Sequence, residues 1–267
     1  MKKIISLFLS VIIIMPFSFV RAEEKGIRYL MEIFPEVTTQ KNVIFGQVKD
    51  RAGKMLDLTM DIFQPKNDTL SKRPLVVWIH GGGFVSGSKE NMISRCEGFA
   101  KLGYVSVTIN YRLSRTLTGV IETAVSDAVS DSQLAIDFLR THALEYGIDV
   151  DQIFVGGSSA GGITSLHLAY ENRGWNKQGI LGVIDLWGAL FDLSCVDPTD
   201  PPVIIIHGEQ DNVVPFALSP ALIEKLKTNK IPYQFFPVQG VGHGVKPSGR
   251  LPYHFVEAMF IFQYLKN

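Results

Sequence analysis

The stretch Ile153-Phe154-Val155-Gly156-Gly157-Ser158-Ser159-Ala160-Gly161-Gly162 decides the fold. It reads as a short apolar strand, a crowded turn and the opening of a helix. A serine flanked by glycines two places on either side, here Ser159 between Gly157 and Gly161, is lifted above the sheet edge by such a turn. Only small residues tolerate the reversal. The helix that follows points its first N–H groups at the same place. A glycine-rich turn that merely packs tightly has the same composition, so the pattern needs partners elsewhere in the chain. Ser158 is the competing hydroxyl, but it lacks the symmetric glycines.

Outward from this turn, apolar runs alternate with helical patterns. Val43 to Val48 and Leu56 to Phe63 read as two strands with a hairpin turn near Gly53-Lys54. Leu75-Val76-Val77-Trp78-Ile79 is a continuous apolar run, the mark of a strand buried on both faces. A helix near Met92 to Leu102, a strand Tyr104 to Ile109 and a helix Glu122 to His142 come before the decisive strand. After the helix that ends near Tyr170 come strands Ile180 to Leu186, Val203 to Ile206 and Tyr233 to Pro237. A helix Pro220 to Lys227, with Ser219 as its N-cap, and a last helix His254 to Leu265 complete the series. This alternation predicts one doubly wound, mostly parallel sheet with an antiparallel hairpin at its N-terminal edge. Only 51 residues separate Ser159 from Asp211, which leaves no room for a large lid; Trp187 to Pro202 is the one place for a modest loop.

The chain has 267 residues, with 26 acidic and 26 basic. Met1 to Ala22 reads as a cleaved signal peptide: Lys2 and Lys3, an apolar run from Ile4 to Val20, then Val20-Arg21-Ala22. The run is interrupted by Ser6, Ser10, Pro16 and Ser18 and is marginal for a bilayer of about 30 Å. The expectation is export, to the periplasm or beyond the cell, with no stable membrane insertion. Without residues 1–22 the chain carries 23 basic and 26 acidic residues, a net charge of −3. Nothing in that balance calls for nucleic acid. Residues 23–42 read as a short extension and 43–267 as a single domain. Cys96 and Cys195 either pair in the oxidising compartment or stay as thiols; a domain of this size folds without the bridge.

Three further stretches complete a centre. His80-Gly81-Gly82-Gly83-Phe84 closes the first buried strand. Its glycines leave backbone N–H groups free to approach an oxyanion, with Gly82, Gly83 and Ala160 as the expected donors. His80 is expected to anchor the loop rather than titrate. A flexible turn or a phosphate cradle is the alternative; the cradle is weakly supported, since neither G-x-x-x-x-G-K-[ST] nor G-x-G-x-x-G is present. Asp211, a few residues past strand 203–206, is the expected acid, ahead of Glu209, Asp185 and Asp192. An acid at this point orients the histidine through Nδ1. His243, in Gly240-Val241-Gly242-His243-Gly244, is the expected base. His167 lies about two helical turns past Ser159 and is out of reach. His207 is expected to brace the acid loop, His142 is remote, and His254 is the reserve. The chain order Ser, Asp, His matches one established arrangement of a serine-nucleophile triad. No metal-binding spacing appears, and no cofactor is expected. Trp187, Phe191 and Phe84 are candidates for an acyl pocket, with core packing as the alternative.

Together with Gly87-Ser88 and Asn110-Tyr111-Arg112-Leu113, these stretches resemble the α/β-hydrolase carboxylesterases, especially small secreted bacterial esterases akin to acetyl-xylan and feruloyl esterases. The resemblance covers about residues 43 to 265. It implies an α/β-hydrolase fold and hydrolysis of a short-chain or carbohydrate-linked ester through an acyl-enzyme. The substrate would be a small molecule or a glycan-linked ester. The hormone-sensitive-lipase-like branch shares the glycine loop but has an acidic residue before the nucleophile and a helical cap. Ser158 and the 20-residue extension depart from both features. Two other classes share the pattern: a serine peptidase on the same fold, and a non-catalytic binding protein on a hydrolase scaffold.

Overall fold

The computed structural model describes residues 28–114, 121–171, 174–244 and 253–266. The expected signal peptide, residues 1–22, lies outside the described residues. The strands are β1 (Val37–Lys49), β2 (Met55–Pro65), β3 (Arg73–Ile79), β4 (Val105–Ile109), β5 (Ile148–Ser158), β6 (Ile180–Leu186), β7 (Val203–Gly208) and β8 (Tyr233–Val238). The longer helices are α1 (Ile93–Lys101), α2 (Ile121–Thr141), α3 (Ala160–Tyr170), α4 (Leu218–Thr228) and α5 (Tyr253–Tyr264). Among the described residues no helix is long and apolar enough to cross a membrane.

The sheet runs β1-β2-β4-β3-β5-β6-β7-β8. β1 and β2 form the expected antiparallel hairpin, and β2 meets β4 antiparallel. From β4 to β8 every pairing is parallel. Side chains of the central strands alternate between two cores. Leu75, Val77 and Ile79 of β3 face α2 and α3, whereas Val76 and Trp78 face α1 and α5. Burial on both faces is why these strands read as continuous apolar runs. In α2 the stripe Val125, Ala128, Val129, Ser132, Ala135, Ile136 and Leu139 recurs at helical spacing and is buried. All of α3 is buried between the sheet and α2.

Strand order reverses between β3 and β5. The connection from β3 leads out to β4, and the next returns past β3 to β5. In open α/β sheets a ligand crevice forms at the carboxyl ends of the strands flanking such a switch point. The loop His80–Phe84 leaves β3 at that place, and Ser159 leaves β5 beside it.

Several boundaries differ from the sequence reading; β5, for one, starts at Ile148 rather than Ile153. β1 starts at Val37, so residues 37–42 extend the hairpin instead of belonging to a free extension. Past Val37 this part of the strand is polar and exposed, shifts register between Gln40 and Val43, and carries Asn42 at φ 56°; no alternating apolar pattern marks it. Helix α4 starts at Leu218 with Ala217 as its N-cap, not at Pro220 behind Ser219. The Ser219 hydroxyl is drawn instead to His207. Cys96 and Cys195 are both free thiols. Burial raises both, Cys195 to about 11.

The stretch Asn110-Tyr111-Arg112-Leu113 is a brace at the end of β4. The Arg112 guanidinium donates to Asp131 on α2 at 3.0 and 2.6 Å, and the Arg112 backbone N–H donates to Asp131 Oδ2 at 2.8 Å. Asp131 is fully buried. Removing one partner of such a pair strands a buried charge. Arg112→Ala is therefore expected to cost about 3 kcal/mol of stability, read as a lower urea midpoint at unchanged slope. An unchanged midpoint would show that the pair is not needed.

Candidate active site

Ser159 stands between β5 and α3 at φ 55°, ψ −118°, a region that non-glycine residues seldom enter. The turn is held from both sides. The Ser159 N–H donates to Leu186 O at 2.8 Å, and its carbonyl accepts from Ile163 N–H at 2.9 Å. Its crowding is concrete. A Cβ on Gly161 would lie 1.9 Å from Ile79 O, and one on Gly157 would lie 2.5 Å from both Ile79 O and the Gly161 carbonyl carbon. The two glycines let α3 settle onto β3 and β5, and that contact forces Ser159 outward.

The histidine and the acid arrive from the other end of the sheet. His243 Nε2 accepts from Ser159 Oγ–H at 2.8 Å, and His243 Nδ1–H donates to Asp211 Oδ2 at 2.7 Å. Asp211 is buried, and its Oδ1 accepts the N–H groups of Val213 and Val214 at 2.9 and 3.0 Å. Burial pushes the carboxyl up, but the His243 hydrogen bond and the two amides outweigh it and hold Asp211 below the usual carboxylate range. His207 braces this loop as expected. Its Nε2–H donates to Val214 O at 3.0 Å and to Asp211 Oδ2 at 3.2 Å, while Nδ1 accepts from Ser219 Oγ at 2.7 Å. Burial lowers the His207 ring below its ordinary value, which keeps it neutral. The acid loop also carries the histidine loop: Gln210 N–H donates to Val241 O at 2.9 Å. A Cβ on Gly208 would lie 2.3 Å from that oxygen and 2.5 Å from Gly242 O.

The glycine loop faces Ser159 from β3. Gly82 and Gly83 take positive φ, 117° and 59°. Gly82 O accepts from Val85 and Ser86 N–H, which curls the loop. Gly81, absent from the predicted donor set, makes the closest approach: a Cβ there would sit 2.8 Å from Ser158 O and 3.3 Å from Ser159 Cβ. His80 is buried, lies flat on Tyr111 at 4.3 Å, and donates from Nδ1 to Gly81 O at 2.7 Å. Tyr111 OH donates to His80 O at 3.2 Å. Burial lowers His80 below its ordinary value, so it anchors the loop as a neutral ring.

The rival residues sit elsewhere. Asp185 accepts from Gly188 N–H and does not meet His243. Asp192 caps a short turn through Ser194. His142 ends α2 against Phe138 O, and His167 pairs with Glu171 on the far side of α3. The side chain of His254 lies outside the described residues. Phe84 is buried against Tyr111 and is a core residue, whereas Phe191 is exposed and meets His167 edge-on. Trp187 is partly buried, with φ 46°. Sequence reasoning missed Gly81, Gly208 and Ser219 as parts of the centre. Gly81 stands in the quoted glycine run and Gly208 at the end of β7, but the groups they press against come from other segments.

Comparison with known proteins agrees on the fold. Residues 60–179 match the family described as BD-FAE, and residues 184–267 match the prolyl oligopeptidase family. The esterase Est2 of Thermogutta terrifontis superposes with a TM-score of 0.66, at 24% identity, over 90% of this chain and 95% of its own. The chain has the α/β-hydrolase fold. A truncated carbohydrate esterase from gut microbiota superposes with a TM-score of 0.67 at 20% identity, over 85% of this chain and 96% of that one. Gut esterase 1 of Caenorhabditis elegans is 32% identical over 141 residues, 49% of this α/β-hydrolase and 24% of the nematode protein. The chain thus spans about a quarter of the length of the curated relatives it matches.

The elbow's packing is testable apart from chemistry. Gly161→Ala drives a methyl into Ile79 O and is expected to cost about 3 kcal/mol or to prevent folding. Gly98→Ala, where a Cβ would meet nothing within 4 Å, is the control. Equal thermal midpoints for the two variants would contradict the crowding.

Proposed function

We propose that this α/β-hydrolase is a serine carboxylic-ester hydrolase working through an acyl-enzyme. The observation that carries the reading is the unbroken hydrogen-bond chain from Asp211 through His243 to Ser159, at 2.7 and 2.8 Å, at the switch point of the sheet. His243 Nε2 takes the Ser159 proton as Oγ attacks the ester carbonyl. The N–H groups of Gly82, Gly83 and Ala160 receive the oxyanion, each worth about 3 kcal/mol in the transition state. The carbon–oxygen bond to the alcohol breaks, and the alcohol leaves with the proton from His243. Water, deprotonated by His243, then attacks the acyl-enzyme; the acid departs and Ser159 regains its proton. Asp211, kept ionised, holds the imidazole with Nε2 toward serine and stabilises the imidazolium.

For the substrate we propose short-chain acyl esters or acetyl and feruloyl groups on carbohydrate. The carbohydrate-esterase likeness and the short Trp187–Pro202 connection support an open site for such groups. Residues 1–22 fit export to the periplasm or outside the cell, where such esters are met. A peptidase is the second reading, favoured by the match of residues 184–267 to the prolyl oligopeptidase family.

Ser159→Ala is expected to lose fluorophosphonate labelling and to lower kcat on p-nitrophenyl acetate about 10⁶-fold, and Asp211→Asn to lower it about 10⁴-fold with labelling slowed. Wild-type activity is expected to fall with longer acyl chains and to exceed that on peptide p-nitroanilides. Turnover retained by Ser159→Ala would remove the nucleophile assignment. Faster cleavage of the anilides would establish the peptidase.

A further inference from the structure

Asp185 is a buried carboxyl that the mechanism above does not use. It lies one residue before the end of β6, in register with Gly157 on β5, and is 1% exposed. Its Oδ1 accepts the Gly188 N–H at 2.8 Å. The same oxygen would lie 2.5 Å from a Cβ on Gly162 and 2.4 Å from one on Gly188. The carboxyl is therefore wedged between the turn after β6 and the first turn of α3, the turn that begins with the amide of Ala160.

The turn it holds is strained. Trp187 has φ 46°, unusual for so bulky a residue, and its N–H donates to Ile206 O at 2.8 Å. Ser159, also at positive φ, donates its N–H to Leu186 O at 2.8 Å. Two neighbouring strand ends thus reverse through left-handed residues, coupled through Leu186 to its neighbour Trp187. Asp185, hydrogen-bonded to the second reversal, packs it against the helix that grows from the first.

We propose that Asp185 is a positioning residue for the Ser159 centre, clamping the Trp187–Gly188 turn to the first turn of α3 as a neutral acid. Burial supports the protonated form by pushing the carboxyl up to about 7, with the Gly188 N–H pulling it the other way. The titratable group that faces it from α3 is Tyr170, whose hydroxyl is occupied by Pro201 O at 2.7 Å. No cation among the described residues pairs with it. A negative charge formed here would lie against the start of α3 and oppose the field its amides offer an oxyanion.

The kinetic consequence rests on the ester-hydrolase reading. As pH rises through about 7 the carboxylate forms. kcat is expected to fall about tenfold, as an unscreened charge beside the first turn of α3 opposes the developing oxyanion, with KM little changed. Asp185→Asn keeps an acceptor for Gly188 and cannot ionise, so its kcat stays level at alkaline pH. The stability consequence does not depend on turnover. A carboxyl raised in the folded state contributes stability that is complete below its unfolded value near 4 and is lost as pH climbs to about 7. The thermal midpoint of the wild type is thus expected to drop relative to Asp185→Asn between pH 4 and 8.

The deciding experiment compares wild type and Asp185→Asn by infrared difference spectroscopy, thermal melts and kcat across pH 5–9, with fluorophosphonate labelling of Ser159 alongside. A protonated-carboxyl band present at pH 6, bleached by pH 8 and missing from the variant is expected. Should Asp185→Asn not fold, Asp185→Ser replaces it, and survival of the band in that variant would overturn the assignment. Absence of the band in folded wild type, or an alkaline fall in kcat that persists in Asp185→Asn while Ser159 still labels, would overturn the proposal. Failed labelling with the band present would instead count against the ester-hydrolase reading and leave the clamp standing.

Discussion

Everything at this centre depends on how closely α3 approaches the sheet. Ile79 O on β3 occupies the space where Cβ atoms of Gly157 and Gly161 would be. Because neither residue has one, the helix meets β3 and β5 at backbone distance. The chain between them has no room to turn except through a left-handed residue, and that residue is Ser159. Strain stored there is held by the surrounding hydrogen bonds rather than relieved. Its return is a hydroxyl held above the sheet, beside the first amides of a helix.

The second half of the centre is built independently and hung from β7. Asp211 is fixed by two amides and by His207, which is in turn fixed by Ser219. The histidine loop rests on the same loop through Gly208 and Gln210. His243 can therefore cross from β8 toward β5 without a rigid element of its own. Buried acid, oriented ring and strained serine form one polar line through an apolar surround, where each hydrogen bond is stronger than it would be in water. The glycine loop closes the other side, pinned by the stacked His80 and Tyr111.

Much of this was legible in the sequence, for identifiable reasons. Strands buried on both faces leave unbroken apolar runs, so β3, β6 and β7 stood out. Ser159, Asp211 and His243 were found because their order and flanking glycines are constrained by backbone geometry. The polar start of β1 was missed because an exposed edge strand has no apolar face to alternate. Ser219 was misread because a helix cap and a partner for a buried histidine call for the same hydroxyl. The setting of Asp185 was hidden because its burial comes from glycines on two other segments, which no local pattern reveals.

On the proposed mechanism the strained serine, the glycine loop and the start of α3 converge on one reacting carbonyl. A crystal structure of the protein inactivated by a diethyl fluorophosphonate tests it most directly. Phosphorus is expected on Ser159 Oγ, with its phosphoryl oxygen within about 3 Å of the N–H groups of Gly82, Gly83 and Ala160. Phosphorus on another residue, or a phosphoryl oxygen turned away from those amides, would contradict it.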